Sequence, residues 1–339
     1  MSQYCTCGNP LLDYQAHVTK EFLDKWHLIE NDAILLDDER ASLFDDLEQN
    51  FEVQCIPGGA TQNAIRVCQW ILGVPNCTVF FGAIGNDKYG SVLKQKMLNA
   101  GVNVQYQINP TVKTGTCAAM LHDNHRSLCA HLSAANTFTE DHIEIPENRK
   151  LIERAKYYYI SGFFITSCAS AYLKIAKHSA ENKKIFMTNL AAPFIPKFYK
   201  EVLNEVMPYV DVLFGNESEA AAFAEVFDLK TTDVAEIAKT ISKMPMKNSG
   251  RQRLVIFTQG ADPTYVVSGD TVMKYAVHKL SHSEIVDTNG AGDAFAGGFL
   301  AQYIQEKPVE ECVCCGHFAA ATIIKQNGCT LPAVCGYKS

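Results

Sequence analysis

Short apolar runs alternate with longer amphipathic stretches from Cys77 onward. The predicted strands are residues 77–84, 157–164, 185–190, 210–215 and 253–258. Most of these runs are apolar throughout, as expected of parallel strands that are buried on both faces. The alternation therefore predicts an α/β fold, in which a mostly parallel central sheet is flanked by helices.

Three stretches have helical spacing, namely residues 61–72, 88–100 and 294–305. Gly73 and Gly101 follow the first two, and a glycine just past the last periodic residue commonly ends a helix in the left-handed conformation. A hairpin is predicted over residues 264–278, with its turn at residues 268–270.

Two segments interrupt this alternation. Residues 13–56 are richer in charge, and residues 114–133 have the pattern of two strands joined by a polar turn at Asp123 and Asn124. We expect these two segments to form a small α/β lid domain. The large domain then comprises residues 1–12, 57–113 and 134–339.

The composition excludes several classes of protein. Hydrophobic residues make up 47% and charged residues 20% of the 339 positions, which favours a self-folding globular chain over a disordered one. The formal net charge is −7, and no basic run is longer than two residues. Binding to a phosphate backbone leaves a basic footprint, so no nucleic-acid partner is expected.

The chain also lacks signals for export or membrane insertion. Its first residues have no basic head or apolar core, and no stretch reaches the roughly 20 apolar residues that span a bilayer. We therefore expect a cytoplasmic protein without a membrane partner, whose 13 cysteines are reduced thiols. Two clusters raise the alternative of zinc, namely Cys5 with Cys7, and Cys312, Cys314 and Cys315 with His317. Neither is a CxxC pair with a distant partner pair, so packing is favoured.

The segment Asp287-Thr-Asn-Gly-Ala-Gly-Asp293 directly precedes an apolar helical run. Gly290, Ala291 and Gly292 remove side-chain bulk where the helix begins, so successive backbone N–H groups can close on an anion. Asp293 then lies in the first turn, where a carboxylate can take a proton from a hydroxyl that attacks phosphorus. The alternative is that Asp293 caps the helix and the glycines only turn the chain.

A second glycine-rich segment, Gly58-Gly-Ala-Thr-Gln-Asn63, opens the helix predicted over residues 61–72. Glycines permit a close approach of the backbone to a ligand, and Asn63 on the first turn offers a donor and an acceptor. Gly58 and Gly59 are therefore candidate substrate-binding positions. A plain turn with a capping asparagine is the alternative.

Asn216 and Glu219 follow the strand predicted over residues 210–215 and are three residues apart. This spacing places them on one helical face, where an amide oxygen and a carboxylate can hold Mg²⁺ through its waters. The alternative is a capping box with Asn216 at the N-cap and Glu219 at the third helical position, and the spacing alone favours it.

Several well-known motifs are absent from the sequence. Residues 85–90 are followed by Ser91, so there is no GxxxxGK[ST] loop, and the His-Arg-Asp and Asp-Phe-Gly pair of protein kinases is missing. No predicted strand leads into GxGxxG, which disfavours a dinucleotide-dependent oxidoreductase.

From Gly8 to about Pro332, the order of these segments resembles the ribokinase-like (PfkB) family of carbohydrate and nucleoside kinases, and its adenosine kinases in particular. The most specific matches are Gly8-Asn-Pro-Leu-Leu-Asp13, Gly58 to Asn63, Thr114-Gly-Thr-Cys-Ala-Ala119, Asn189-Leu-Ala-Ala-Pro193, Phe214-Gly-Asn-Glu-Ser-Glu219, Thr258-Gln-Gly260 and Asp287 to Asp293. The resemblance implies a doubly wound α/β body with a lid. It also implies Mg²⁺-dependent transfer of the γ-phosphoryl group of ATP to the adenosine 5′-hydroxyl.

The resemblance implies roles for further residues. Asp13 would hold the two ribose hydroxyls, helped by Gly59 and Asn63, and a carboxylate is suited to accept from adjacent hydroxyls. The adenine pocket would be lined by Asn9, Leu11, Cys117, Leu128, Leu132 and Phe164. Arg126 would reach from the lid toward the transferring group, where positive charge stabilises the transition state. Without the resemblance, Arg126 is better interpreted as a solvated hairpin residue.

On the nucleotide side, the implied ATP contacts are Asn189, Asn216, Thr258, Gly260 and His317. Asp287 and Asn289 carry the backbone near which related enzymes bind a monovalent cation, usually K⁺, and Asn289 would also border the substrate. Two positions depart from the family pattern. Ala60 stands where serine is frequent, and Ala261 stands where a basic residue is common, which implies one phosphate contact fewer.

We therefore expect a monomeric kinase whose ligands are adenosine and ATP. A sugar kinase of the same fold is the nearest alternative, although Leu11, Leu128 and Leu132 favour a flat apolar guest. A catalytically silent nucleoside-binding protein is a further alternative, which the presence of both Asp293 and Arg126 disfavours.

Overall fold

The computed structural model describes residues 4–30, 32–123, 125–248 and 250–337. Its strands are β1 (Tyr4–Cys7), β2 (Leu11–His17), β3 (Ala33–Leu35), β4 (Gln54–Gly58), β5 (Thr78–Gly85), β6 (Asn103–Asn109), β7 (Gly115–His122), β8 (His125–His131), β9 (Tyr157–Ser161), β10 (Ile185–Asn189), β11 (Val212–Asn216), β12 (Leu254–Gln259), β13 (Asp262–Ser268) and β14 (Thr271–Tyr275).

The α-helices are α1 (Lys20–Lys25), α2 (Leu43–Asn50), α3 (Ala60–Leu72), α4 (Lys88–Asn99), α5 (Glu140–Glu144), α6 (Pro146–Arg154), α7 (Ile165–Glu181), α8 (Phe194–Phe198), α9 (Lys200–Val206), α10 (Glu217–Val226), α11 (Val234–Ser242), α12 (Ala291–Tyr303) and α13 (Val309–Ile324). Short 3-10 helices lie at Asp38–Arg40, Ser133–Thr137, Gly162–Phe164, Met207–Tyr209 and His282–Glu284.

The chain divides into two compact units, and the first comprises Met1–Gly8, Asn76–Phe81 and Thr139–Lys279. Its strands lie in the order β14-β13-β12-β11-β10-β9-β1, followed by the first half of β5. The run from β12 to β5 is parallel, and β13 and β14 add an antiparallel hairpin. The prediction of an α/β fold with a mostly parallel sheet is confirmed.

The second unit comprises Asn9–Pro75, Gly82–Phe138 and Leu280–Ser339. It contains a mixed sheet in the order β3-β8-β7-β2-β4, in which β2 runs parallel to β7 and antiparallel to β4. This register places Asp13 of β2 between Ile56 of β4 and Cys117 of β7. Helices α3, α12 and α13 of the same unit pack together.

Two predicted boundaries near the candidate site residues differ from the structure by three residues. The strand predicted over residues 157–164 ends at Ser161, because Asn189 Oδ1 accepts a 2.9 Å hydrogen bond from the N–H of Gly162 and the chain turns there. The helix predicted over residues 294–305 begins three residues earlier, at Ala291. Asp293 is therefore inside the first turn of α12.

The hairpin predicted within residues 114–133 is formed by β7 and β8, which pair in an antiparallel register. Asp123, in its predicted turn, has a left-handed backbone with a φ of 50°. Asn124, the other predicted turn residue, lies outside the described residues.

Glycines in α12 let its backbone approach neighbouring helices. A Cβ added to Gly297 would lie 2.4 Å from the backbone oxygen of Ala64 in α3, and one added to Gly298 would lie 2.5 Å from the backbone oxygen of Cys315 in α13. Such distances are far below a normal carbon–oxygen contact, so α12 needs glycine at both positions.

Replacing Gly297 with alanine is expected to lower the free energy of unfolding by about 1 to 3 kcal/mol, because the added methyl overpacks a rigid helix contact. Gly336→Ala is the matched control, since a Cβ there meets Phe318 at an ordinary 3.9 Å. Urea unfolding of both variants measures the difference. Equal midpoints for Gly297→Ala and the parent chain would contradict the packing argument.

No helix in the described ranges combines the length and apolar character needed to cross a membrane. No group of three or more His, Cys, Asp or Glu side chains in them is arranged to hold a metal ion. The cysteines of the clusters considered for zinc are free thiols, of which Cys5, Cys7, Cys312 and Cys315 are buried.

Candidate active site

The N-terminus of α12 is open toward a ligand. Gly290 precedes the helix with a left-handed φ of 72°, and no side chain caps the helix at this residue. A Cβ built on Gly292 meets no atom within 4 Å, so there is space beside the first turn. The first N–H groups of a helix carry partial positive charge and point outward along its axis. The Gly290-Ala291-Gly292 turn is therefore suited to hold an anion.

Asp293 is held by a residue of another helix. Its Oδ2 accepts a 3.0 Å hydrogen bond from Nδ2 of Asn63, on the first turn of α3. The alternatives in which Asp293 caps α12 and Asn63 caps α3 are both wrong. The N-cap residues of these helices are Gly290 and Gly59. Oδ1 of Asn63 is buried and has no hydrogen-bond partner within the described ranges. A buried acceptor without a partner implies a donor from a ligand or a water molecule.

The side chain of Asp13 in β2 lies against Gly58 in β4. A Cβ on Gly58 would lie 2.0 Å from Oδ1 of Asp13, so only glycine leaves room for this carboxylate. Gly59 is similarly constrained, since its Cβ would lie 2.2 Å from the backbone oxygen of Asn9 and its φ is 95°. Asp13 is 7% exposed and hydrogen-bonded to the side chain of Asn289. Glycine at positions 58 and 59 therefore lets the backbone pack closely against Asp13 and Asn9.

Both carboxylates have perturbed acidities. The pKa of Asp13 is raised to about 7, mainly by burial; the positive charge of Arg126 opposes this shift and the negative charge of Asp293 adds to it. Burial also raises the pKa of Asp293 to about 6, against the effects of Asn63 and Arg126. Asp293 nevertheless keeps some solvent exposure, so its carboxylate remains accessible. Carboxylates with raised pKa values near one cation are typical of functional sites.

Arg126 is largely withdrawn from solvent, with a side chain that is 17% exposed. The interpretation of this residue as a solvated hairpin arginine is therefore wrong. Its Nη1 lies 3.9 Å from Oδ1 of Asp287, and its Nε is buried with no hydrogen-bond partner among the residues that the structure describes. Burial lowers the pKa of Arg126 while Asp287 opposes the shift, and a guanidinium stays charged in proteins.

Asp287 anchors the loop before α12. Its Oδ1 accepts a 2.7 Å hydrogen bond from the N–H of Asn289, and its Oδ2 accepts from the N–H of Gly328 at 2.9 Å and from Nε2 of Gln15 at 3.3 Å. Sequence reasoning missed Gln15 and Gly328. The one local signal for Gln15 is its position two residues after Asp13, which puts both side chains on the same face of β2.

Most residues predicted for an apolar pocket lie together in the second unit. One buried cluster contains Leu11, Cys117 and Ala135, with Leu128, Ala130 and Leu132 packed against it. A Cβ on Gly115 would lie 2.6 Å from Cδ2 of Leu11, so the pocket wall is tight there. Burial raises the pKa of Cys117, which keeps its thiol neutral. Phe164 belongs to the first unit, where it is fully buried in the turn at Gly162–Phe164.

The residues predicted for nucleotide contacts lie mainly at strand ends of the first unit. Asn216 at the end of β11 is the register partner of Thr258 in β12, and Asn189 ends the neighbouring β10. Gly260 follows β12 with a left-handed φ of 56°. Open α/β sheets bind ligands outside the carboxyl ends of their strands, which is where these residues lie.

Asn216 and Glu219 form the capping box of α10, as the spacing alone favoured. The N–H of Glu219 donates to Oδ1 of Asn216 at 2.9 Å, and Oε2 of Glu219 accepts from the N–H of Asn216 at 3.1 Å. His317, on α13 of the second unit, lies 5.4 Å from the ring centre of Phe295, and burial lowers its pKa.

Comparison with protein families gives one match that covers nearly the whole chain. The profile described as "pfkB family carbohydrate kinase" matches residues 20–334. Adenosine kinase 2 of Arabidopsis thaliana is 46% identical over 325 residues, which cover 96% of this chain and 94% of that protein.

Solved structures are similar over the same length. Adenosine kinase of Anopheles gambiae, in complex with P1,P4-di(adenosine-5) tetraphosphate, superimposes with a TM-score of 0.95, at 46% identity and with 96% of each chain covered. Adenosine kinase of Schistosoma mansoni, in complex with 2-fluoroadenosine, also gives a TM-score of 0.95, at 35% identity, covering 98% of this chain and 97% of that one. The doubly wound architecture of these structures is also that of this chain.

Proposed function

This chain belongs to the pfkB family of carbohydrate kinases, and from that membership we propose that it transfers the γ-phosphoryl group of ATP to the 5′-hydroxyl of adenosine. The products are AMP and ADP. The relatives named adenosine kinase and the nucleoside and nucleotide ligands of the solved structures support this choice. The observation that carries it is the Asp293 carboxylate, which Asn63 holds on the first turn of α12 beside the open helix N-terminus.

In the proposed reaction Asp293 takes the proton of the 5′-hydroxyl as that oxygen attacks the γ-phosphorus. A pKa of about 6 leaves this carboxylate ionised near neutrality and yet basic enough to accept a proton. The N–H groups of the Gly290-Ala291-Gly292 turn and the guanidinium of Arg126 stabilise negative charge on the transferring group.

The nucleoside is held at two places. Asp13 accepts hydrogen bonds from the ribose 2′- and 3′-hydroxyls, and its position over Gly58 fixes the direction of the carboxylate. The apolar cluster at Leu11, Cys117, Leu128 and Leu132 receives the adenine ring. We assign Asn9, of the same unit, to the polar edge of the ring. A sugar lacks a flat apolar group for such a cluster to bury.

For the nucleotide side we propose contacts from Asn189, Asn216, Thr258 and Gly260, all of which belong to the first unit. Asn216 and Glu219 are suited to hold Mg²⁺ through its water ligands, because both carboxylate oxygens of Glu219 already accept hydrogen bonds from Asn216. The carboxylate of Asp287 is likewise committed to protein donors, so K⁺ would use backbone oxygens near Asp287 and Asn289. Such cations would neutralise phosphate charge.

We also propose that residues 13–56 and 114–133 act as the lid, and residues 1–12, 57–113 and 134–339 as the large nucleotide-binding domain. The lid segments carry β3, β7 and β8 and most of β2 and β4. We further propose a monomeric cytoplasmic enzyme without a membrane partner, and the net charge of −7 disfavours a nucleic-acid partner. Light scattering of the purified protein tests the monomer, and a dimer mass would contradict it.

A substrate comparison tests the proposed function. ADP release from Mg-ATP is measured with adenosine, ribose and fructose 6-phosphate as acceptors, with and without K⁺. Adenosine is expected to give the highest kcat/KM. A preference for either sugar would show that the chain is a sugar kinase of the same fold. Tight adenosine binding without AMP formation would show that it binds nucleosides without catalysing phosphoryl transfer.

The pH dependence of kcat/KM should report both carboxylates. Activity needs ionised Asp293 and Asp13, whose pKa values are about 6 and about 7, so kcat/KM is expected to rise from pH 5 to about pH 7.5 and then level off. A steady-state profile in buffers of constant ionic strength measures this rise. A flat profile between pH 5 and 7 would exclude a base with the acidity of Asp293.

A further inference from the structure

We propose that Gln15 is a positioning residue for Arg126 and that it acts through the buried carboxylate of Asp287. The proposal rests on the role in phosphoryl transfer that is proposed above for Arg126. Gln15 touches none of the reacting atoms in this scheme. It determines how often the guanidinium is in the place where the transferring group needs it.

The contacts form a short chain across the second unit. Nε2 of Gln15 lies 3.3 Å from Oδ2 of Asp287, and Oδ1 of the same carboxylate lies 3.9 Å from Nη1 of Arg126. The side chain of Asp287 is fully buried, and Gln15 is 5% exposed. Water therefore has little access to replace either contact.

The orientation of the Gln15 amide is determined by its surroundings. With Nε2 toward Asp287 the amide donates to a carboxylate, whereas the reversed amide would place two oxygen acceptors face to face. Oε1 of Gln15 then lies against Gly328, where a Cβ would come within 3.0 Å of it. Gly328 has a left-handed φ of 58° and donates its N–H to Oδ2 of Asp287. Gln15, Gly328 and Asp287 therefore constrain one another.

Arg126 needs such a support because its side chain is long and flexible. Ordering an arginine costs rotamer entropy, which must be offset by contacts in the free enzyme or by ligand binding. Asp287 engages Nη1 at the far end of the guanidinium, while the buried Nε has no hydrogen-bond partner in the described ranges and stays available. Without the donor from Gln15, the Asp287 carboxylate keeps its backbone donors from Asn289 and Gly328 but loses its side-chain donor at Oδ2. The carboxylate is then less tightly fixed, and so is the guanidinium beside it.

Gln15→Leu removes the donor at similar volume. Because charge on the transferring group is largest in the transition state, we expect kcat to fall about 10-fold, the scale of one hydrogen bond to a charged group, while the KM for adenosine changes less than about twofold. Gln15→Glu places a second carboxylate beside Asp287 and should lower kcat further. Gln95→Leu, an exposed glutamine on α4, is the control and should leave both constants unchanged.

A double-mutant cycle distinguishes positioning from a general structural effect. If Gln15 acts through Arg126, the Gln15→Leu substitution should cost less than about twofold in kcat once Arg126→Ala is present. An equal loss in both backgrounds would overturn the inference, as would an unchanged kcat for Gln15→Leu alone. Melting curves confirm folding, and Gln15→Met replaces Gln15→Leu if the latter does not fold. If Arg126→Ala itself leaves kcat unchanged, the role proposed for Arg126 fails, which is a separate result.

Discussion

Replacing Asp293 with asparagine is expected to lower kcat for adenosine phosphorylation about 10²-fold to 10⁴-fold, the scale of general-base catalysis. The KM for adenosine should change little, because the carboxylate acts on the proton that moves in the transition state. An asparagine oxygen can still accept the hydrogen bond from Nδ2 of Asn63, so the local structure should persist. Steady-state rates of ADP formation measure kcat, and calorimetry measures adenosine affinity.

Asp45→Asn provides a matched control for this substitution. Asp45 occupies the third position of α2, as Asp293 does in α12, but its side chain is exposed. Its replacement should leave kcat unchanged, because a helix-terminal charge without a neighbouring substrate has no chemical role. A near-normal kcat for Asp293→Asn would show that Asp293 is not the general base. A loss confined to adenosine affinity would give Asp293 a binding role instead.

The parallel strands β5 and β9 to β12 were predictable from the sequence because their runs are mostly apolar on both faces. The short parallel strand β1 was not among the predicted strands. β2 is buried along most of its length and was missed because Asp13 and Gln15 interrupt its apolar run. β6 was missed because it is only partly buried. β6 has the residues Asn-Val-Gln-Tyr-Gln-Ile-Asn, so polar and apolar positions alternate and no continuous apolar run forms. β4 contains Pro57, which disfavours a central strand, and it lies at the edge of its sheet. Edge strands and half-exposed strands carry a weaker pattern because one side of each meets solvent.

The part of the site that is formed by residues close together in the sequence was predictable. Gly290 to Asp293 lie in one turn, so their spacing already placed a carboxylate beside a helix N-terminus. The pairing of Asn63 with Asp293 spans 230 residues and has no local signature. The contact of Gln15 with Asp287 spans 272 residues and depends on the register of β2, which no short motif records. Sequence reasoning therefore found the reacting groups more readily than the residues that hold them.

Replacing Asp13 with asparagine is expected to raise the KM for adenosine about 10²-fold or more, since two hydrogen bonds from the ribose to a charged acceptor become weaker. The effect on kcat should be smaller than that of Asp293→Asn, because the diol is remote from the phosphoryl group. The substitution should also stabilise the fold, because the folded state buries a carboxylate whose pKa it raises from 3.8 to about 7. This stabilisation should be small near pH 4, grow as pH rises, and be complete above about pH 7.

A comparison of nucleosides makes the test of Asp13 specific. The 2′,3′-dideoxy analogue of adenosine offers no hydroxyls to Asp13, so the parent enzyme should bind it weakly and Asp13→Asn should weaken it little further. The two losses are therefore expected to overlap, as they do when two changes remove the same interaction. If Asp13→Asn weakens adenosine and the dideoxy analogue by equal factors, the carboxylate does not bind the diol and its burial over Gly58 needs another explanation. Melting temperatures at pH 5 and pH 8 provide the independent check, because the gain in stability depends on the charge of Asp13 and not on any ligand.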